Sequence, residues 1–215
     1  MTRVVRDDDA GRAAAVAALD AGSVIALPTD TVYGIAVSLR TPDGVAALFA
    51  AKRRPADKGI MLLLSDAAQA PEIASWPSAA ARLAEAFWPG GLTVIVPQRP
   101  EVPLPAVLTG GAATIGLRVP DHPAPRAIAA AVGPIPTTSA NVSGEPELGD
   151  AAAIVERLGE AVALVLDGGP AHGGPPSTVV DCTVAPPRIL RVGAIPVDAV
   201  ERVLGAVDAP PGVGR

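Results

Sequence analysis

The chain has 215 residues, of which 49% are hydrophobic and 2% aromatic, and its 17 basic and 22 acidic side chains leave a formal net charge of −5. That is enough apolar material for an aliphatic core, which excludes intrinsic disorder, and the abundant Gly and Pro follow no three-residue period, which excludes collagen. One cysteine, Cys182, and two histidines far apart, His122 and His172, exclude an internal disulfide, a multi-cysteine zinc site and an HExxH helix.

Asp7, Asp8 and Asp9 are the wrong chemistry for a signal peptide. Residues 11–20 then predict a short Ala-rich helix with Val16 and Leu19 on one face. Residues 24–27 predict a strand, PTDT at 28–31 a polar break, and residues 32–39 a second strand. Thr41 is placed to cap a helix with Pro42 at its first position, running through Val45, Leu48 and Phe49 and ending near 52–55. A buried strand is expected at 60–64, a helix at 78–88 stopped by Pro89-Gly90-Gly91, and a strand at 92–96. The Pro- and Gly-rich segment 97–111 reads as a surface linker. Beyond it come a strand at 113–119, a helix from His122-Pro123 to 132, and a strand at 135–138. A helix at 149–158, strands at 162–166, 177–182 and 188–191, and a helix at 196–207 complete the pattern. Residues 209–215 read as a flexible tail. The longest uncharged stretch, 127–144, contains Pro134, Pro136 and a run of hydroxyls, so no membrane span is expected. The alternation predicts one α/β domain over 1–208, a mixed sheet flanked by helices, in a reducing, cytoplasmic setting.

Four polar segments interrupt this apolar frame at strand or helix ends, where α/β proteins bind ligands. PTDTVYG at 28–34 suits either a hydrogen-bonded turn or a small polar ligand. KRRPADK at 52–58 holds both lysines of the chain, Lys52 and Lys58, with two arginines between them. It reads either as solvated charge at a helix end or as a polyphosphate cradle. In TIGLRVP at 114–120, Arg118 sits inside an apolar strand; a buried guanidinium needs an anion, either an internal carboxylate or one on a ligand. Thr114 lies four residues from it and so faces the same side. PTTSANVSG at 136–144 is dense in hydroxyl and amide donors, suited to a capping turn or to phosphate. Two weaker segments put Ser177 at a strand start and Arg191 on an apolar strand. Neither a Walker A pattern nor a helix-opening GxGxxG is present.

Together PTDTVYG, KRRPADK, FWPGGLT at 87–93, TIGLRVPDHP at 114–123, TSANVSG at 138–144, DGGP at 167–170, STVVD at 177–181 and ILRVG at 189–193 resemble the YrdC-like family of threonylcarbamoyl-adenylate synthases, the TsaC type. The resemblance spans residues 22–193. It implies an open, strongly twisted mixed sheet enclosing a basic cavity. The implied activity is adenylyl transfer, making threonylcarbamoyl-AMP and pyrophosphate from L-threonine, bicarbonate and ATP, for modification of tRNA adenosine 37. By the same resemblance, Lys52, Arg54, Ser139 and Asn141 form a catalytic tetrad. Arg54, Lys58, Thr114, Ser139 and Arg191 take ATP; Thr31, Arg118, Thr137 and Ser177 take threonine. Mg²⁺ is expected to arrive with ATP rather than in a protein-built metal site. Downstream tRNA threonylcarbamoyl-transferase proteins are the implied partners. The chain departs from the pattern at Leu63, where some relatives have His, at Glu147, near which some have Ser, and at Val192 in place of Pro. Its length fits the single-domain type. The alternatives are an RNA-binding or a carbamoyl-transfer module of the same fold. Scarce aromatics and negative charge weigh against an RNA binder, leaving direct tRNA contact weak.

Overall fold

Several strands, Ile25–Leu27, Gly34–Ala36 and Leu164–Asp167, are short apolar runs buried on both faces, which is why they read as continuous rather than alternating patterns. The computed structural model describes residues 1–171 and 173–210. In chain order the elements are β1 (Arg3–Arg6), α1 (Asp9–Asp20), β2 (Ile25–Leu27), β3 (Gly34–Ala36), α2 (Gly44–Lys52) and β4 (Met61–Leu63). A 3₁₀ turn (Ala67–Gln69) leads into α3 (Ala70–Ile73), α4 (Ser78–Phe87), β5 (Leu92–Pro97), α5 (Ala106–Thr109), β6 (Thr114–Arg118) and α6 (Pro123–Val132). Then follow β7 (Ile135–Ser139), α7 (Ala151–Leu158), β8 (Leu164–Asp167), β9 (Thr178–Asp181), β10 (Arg188–Arg191) and α8 (Val197–Leu204).

The described strands form one ten-stranded mixed sheet in the order β1-β8-β2-β3-β7-β4-β6-β5-β9-β10. Consecutive residues of a strand fall into different core clusters, as the side-chain period of two requires. Ala26, Ile35, Leu62 and Val165 belong to the larger cluster, which also takes residues of α2, α4, α7 and α8. Ile25, Leu27, Ala36, Leu63 and Leu164 belong to the smaller one, packed with Ala15 and Leu19 of α1 and Ala124, Ile128 and Val132 of α6. The single α/β domain with helices on a mixed sheet is therefore as expected.

Several boundaries shift. The strand expected at 32–39 is only Gly34–Ala36. Thr41 does not cap α2, because its hydroxyl donates back to the Ser38 carbonyl at 3.2 Å; the helix starts at Gly44, after Asp43. The 97–111 segment is more than a surface wrap. Leu108 of α5 is fully buried and its carbonyl accepts from the Ile60 amide at 2.8 Å. The early acidic run has a local role, since Asp8 caps α1 by accepting from the Gly11 amide at 2.8 Å. At the other end, Ala209 packs against the core, while residues 211–215 of the expected tail lie outside the described residues, as does His172. Among the described residues no helix is long and apolar enough to cross a membrane.

Candidate active site

Neighbouring strands β7, β4, β6, β5 and β9 line a cavity of about 330 Å³, closed by the loops before β3, before β4 and after β7. That size suits a small-molecule ligand. Its charged lining residues are Arg54, Arg118, Arg191 and Glu147, a net positive set. Thr31, Thr93, Thr114, Thr137, Ser139 and Ser177 add hydroxyls.

Arg118 is the strongest statement in this wall. It is only 2% exposed, yet it carries a charge. Its Nε donates to the Gly90 carbonyl at 3.0 Å, Nη1 to Thr31 Oγ1 at 3.0 Å, and Nη2 to Asp30 Oδ1 at 2.6 Å. The anion demanded by the sequence is thus the internal carboxylate of Asp30. Burial pushes the guanidinium pKa down and Asp30 pushes it back. Three of five N–H groups are used in this way among the described residues, leaving one on each terminal nitrogen for the cavity. That is the fork geometry that grips a ligand carboxylate.

Lys52 occupies the last turn of α2 and is 2% exposed. Arg53 ends the helix with φ 50°, a left-handed conformation in which its own amide and that of Arg54 return to the Ala50 and Phe49 carbonyls. The chain therefore turns away after Lys52, and the ammonium reaches the turn that follows β7. Its Nζ donates to Ser139 O at 2.6 Å, Ser139 Oγ at 3.2 Å and Asn141 O at 3.0 Å, and also to Asn141 Oδ1. Ser139 Oγ donates to the same Oδ1 at 2.7 Å, and the Ser143 amide returns to the Lys52 carbonyl at 2.9 Å. Burial, then repulsion from Arg54, lower the Lys52 pKa to about 8, with Glu147 opposing.

Lys52, Ser139 and Asn141 of the expected tetrad are thus bonded together, but Lys52 and Asn141 stand behind the lining rather than in it. Arg54 lines the cavity, held by bonds to the carbonyls of Lys58 at 2.8 Å and Gly59 at 2.7 Å. Lys58, also expected at the nucleotide, is exposed and is not among the lining residues, and its backbone carbonyl accepts from Arg54. The sequence makes the two lysines look equivalent, whereas the turn at Arg53 sends one inward and leaves the other on the surface.

Also in the lining, Arg191 donates to Ser177 O at 3.0 Å and Ser177 Oγ at 3.1 Å. This approach requires Gly193, where a Cβ would meet the Pro176 carbonyl at 2.0 Å. Ser177 Oγ lies 2.8 Å from Thr93 Oγ1. Thr137 is buried and donates to the Ile135 carbonyl at 3.0 Å, and Thr114 shares the cavity side of β6 with Arg118. Sequence reasoning missed Asp30 and Thr93 as site residues. The signals were an acid inside the Thr-rich break and a lone hydroxyl in the apolar strand LTVIV. Leu63 lies in the smaller core cluster, away from the lining, whereas Glu147 lines the cavity. Its loop is fixed from both sides: Asn141 Nδ2 donates to Glu145 O at 2.5 Å, and the Leu148 amide to Ala140 O at 3.1 Å.

Comparison with known proteins places the chain in a family. The Sua5/YciO/YrdC family model, described as "Telomere recombination", matches residues 17–193. A putative threonylcarbamoyl-AMP synthase of Mycobacterium tuberculosis (strain H37Rv) is 40% identical over 200 residues, covering 93% of this chain and 91% of that protein. The threonylcarbamoyl-AMP synthase of Bacillus subtilis (strain 168) is 35% identical over 215 residues, and the chain spans only 62% of its length. The crystal structure of P. abyssi Sua5 complexed with L-threonine superposes with a TM-score of 0.89 at 33% identity, over 98% of this chain and 62% of that one. The chain belongs to the Sua5/YciO/YrdC family.

Proposed function

We propose that this chain is a threonylcarbamoyl-AMP synthase, a nucleotidyltransferase that joins L-threonine, bicarbonate or CO₂, and ATP and releases pyrophosphate. The observation that carries the reading is one cavity lined by three guanidinium groups against a single carboxylate among the described residues. Arg118, set by Asp30 and Thr31, lines it together with Arg54 and Arg191. The carboxylate of an amino acid and a polyphosphate are the anions such a lining suits, and a solved relative holds L-threonine.

The threonine amine, once deprotonated, adds to CO₂ to give a carbamate, with its remaining surplus proton passing to solvent. A carbamate oxygen then attacks the α-phosphorus; the new P–O bond forms as the bond to the pyrophosphate leaving group breaks. Such transfer depends on positioning and charge stabilisation rather than on a protein nucleophile. Arg118 takes the threonine carboxylate, with Thr31, Thr137 and Ser177 around it. Arg54, Arg191, Thr114 and Ser139 take the nucleotide, and Lys52 and Asn141 hold the Ser139 turn in place. Among the described lining residues Glu147 is the one carboxylate, so Mg²⁺ fits as an ion carried by phosphates and water, with Glu147 able to supply one ligand. Mg²⁺ would neutralise phosphate charge when bound. The product is suited to cytoplasmic tRNA threonylcarbamoyl-transferase proteins, which complete the modification of adenosine 37.

The test is to incubate the protein with ATP, bicarbonate and each amino acid, measuring pyrophosphate and an AMP adduct. Adduct formation that requires both threonine and bicarbonate is expected. Salt-sensitive tRNA binding without turnover would replace the synthase by an RNA-binding module.

A pH dependence follows from Lys52. Its pKa falls from 10.5 to about 8, so the ammonium that organises the turn is present below that pH and lost above it. ATP affinity, followed by calorimetric titration from pH 7 to pH 9.5, should therefore decline on passing about pH 8. Stability moves the other way. Between the two pKa values the unfolded chain binds more protons, so the cost of burying this charge is relieved as pH rises. Constant ATP affinity across that range would contradict the assignment.

A further inference from the structure

The Ser177 hydroxyl is buried, lines the cavity and has one proton and two lone pairs. Arg191 Nη2 can only donate, so it occupies one lone pair, at 3.1 Å. Thr93 Oγ1, 4% exposed, lies 2.8 Å away and is the only other hydroxyl bonded to it among the described residues. Two arrangements satisfy this pair. In one, Ser177 donates to Thr93, and Thr93 donates to the sulfur of Met61 at 3.5 Å, a weak acceptor. In the other, Thr93 donates to Ser177 and fills its second lone pair. Ser177 is then left with its proton alone, and the cavity is where that proton must go. A hydroxyl in this state is a pure donor, and the ligand atom it suits is an anionic oxygen in a cavity already lined by Arg118 and Arg191.

We propose that Thr93 is a positioning residue that, together with Arg191, turns the Ser177 hydroxyl into a dedicated donor to the carboxylate of the amino-acid substrate; this rests on the synthase reading. Ligand binding reverses the pair: the Ser177 proton leaves Thr93 for the carboxylate, and the Thr93 proton leaves sulfur for Ser177. No bond other than hydrogen bonds changes. The pairing of β5 with β9, which sets Thr93 opposite Val179 and Leu92 opposite Thr178, fixes Thr93 beside Ser177.

The test is a double-mutant cycle on L-threonine binding by calorimetry, with steady-state kinetics alongside. Thr93→Val is nearly isosteric and removes the hydroxyl. It should weaken threonine binding about tenfold, as loss of one oriented hydrogen bond does, and leave the ATP KM within about twofold. Thr93→Ser should restore wild-type binding, and Thr93→Val should add nothing in a Ser177→Ala background. If Thr93→Val misfolds, Thr93→Ala serves in the same cycle. Unchanged threonine affinity, or an equal loss with and without the Ser177 hydroxyl, would overturn the proposal and leave the synthase reading intact. Failure of the wild-type protein to bind threonine would overturn that reading, and the proposal with it.

Discussion

Lys52→Ala is expected to reduce adduct formation by about 10²-fold or more, the scale seen when a charge-stabilising device is removed from an active site. The reason is specific to where the ammonium lies. Its acceptors are Ser139 O, Ser139 Oγ, Asn141 O and Asn141 Oδ1, all within one turn. Without a donor at their centre, these groups lose their common partner, a cost of about 1–3 kcal/mol for a buried acceptor left unmatched. In a chain of this length that lowers Tm by roughly 5 °C. Lys52→Arg should not rescue, since a planar fork cannot serve four acceptors gathered around one point. Arg54→Ala provides the contrast. It lines the cavity and among the described residues its side chain bonds only to nearby backbone carbonyls, so a comparable loss of activity should come with a smaller change in Tm. Melting curves measured beside turnover separate the two. Near-normal turnover in both variants would remove the phosphate assignment.

Arg118→Lys is expected to raise the threonine KM by roughly tenfold to a hundredfold while the ATP KM stays within about twofold. Charge is conserved in this change and geometry is not. One ammonium cannot reach Gly90 O, Thr31 Oγ1 and Asp30 Oδ1 together and still face a ligand with two parallel N–H groups. Arg118→Ala goes further. It leaves Asp30 without its partner at a mostly buried position, and breaking a buried pair in this way costs about 3 kcal/mol or more. A threonine KM that does not move in the lysine variant would show that the carboxylate binds elsewhere.

The sequence reading reached the site through contradictions between residue and setting. A guanidinium in an apolar strand, a cationic run at a helix end and a hydroxyl-rich turn after a short strand each demanded a partner, and the fold brings Arg118, Arg54 and Ser139 to one cavity. What stayed hidden were the partners. Asp30 is 88 residues from Arg118, and neither period nor propensity links such positions. The different fates of Lys52 and Lys58 depend on the left-handed backbone at Arg53, a residue type that does not announce that conformation. The fold was legible to similar depth. Interior strands reveal themselves by apolar runs, whereas β1 is bounded by Arg3 and Arg6 and mostly exposed, so only its pairing with β8 marks it as a strand.

The strand order carries a consequence for how the chain acquires its shape. β8 lies between β1 and β2 and pairs in parallel with both, yet it is made only after residue 163. As the chain emerges from the ribosome, β1 has no partner in the sheet and β2 has one open edge until then. Pairings across such sequence distances close slowly, and open edges in the meantime invite association with other chains. Arg191 comes later still, so a nascent chain has no complete cavity until residue 191 has been made. The sealing of the sheet by β8 therefore comes before the completion of the cavity by Arg191.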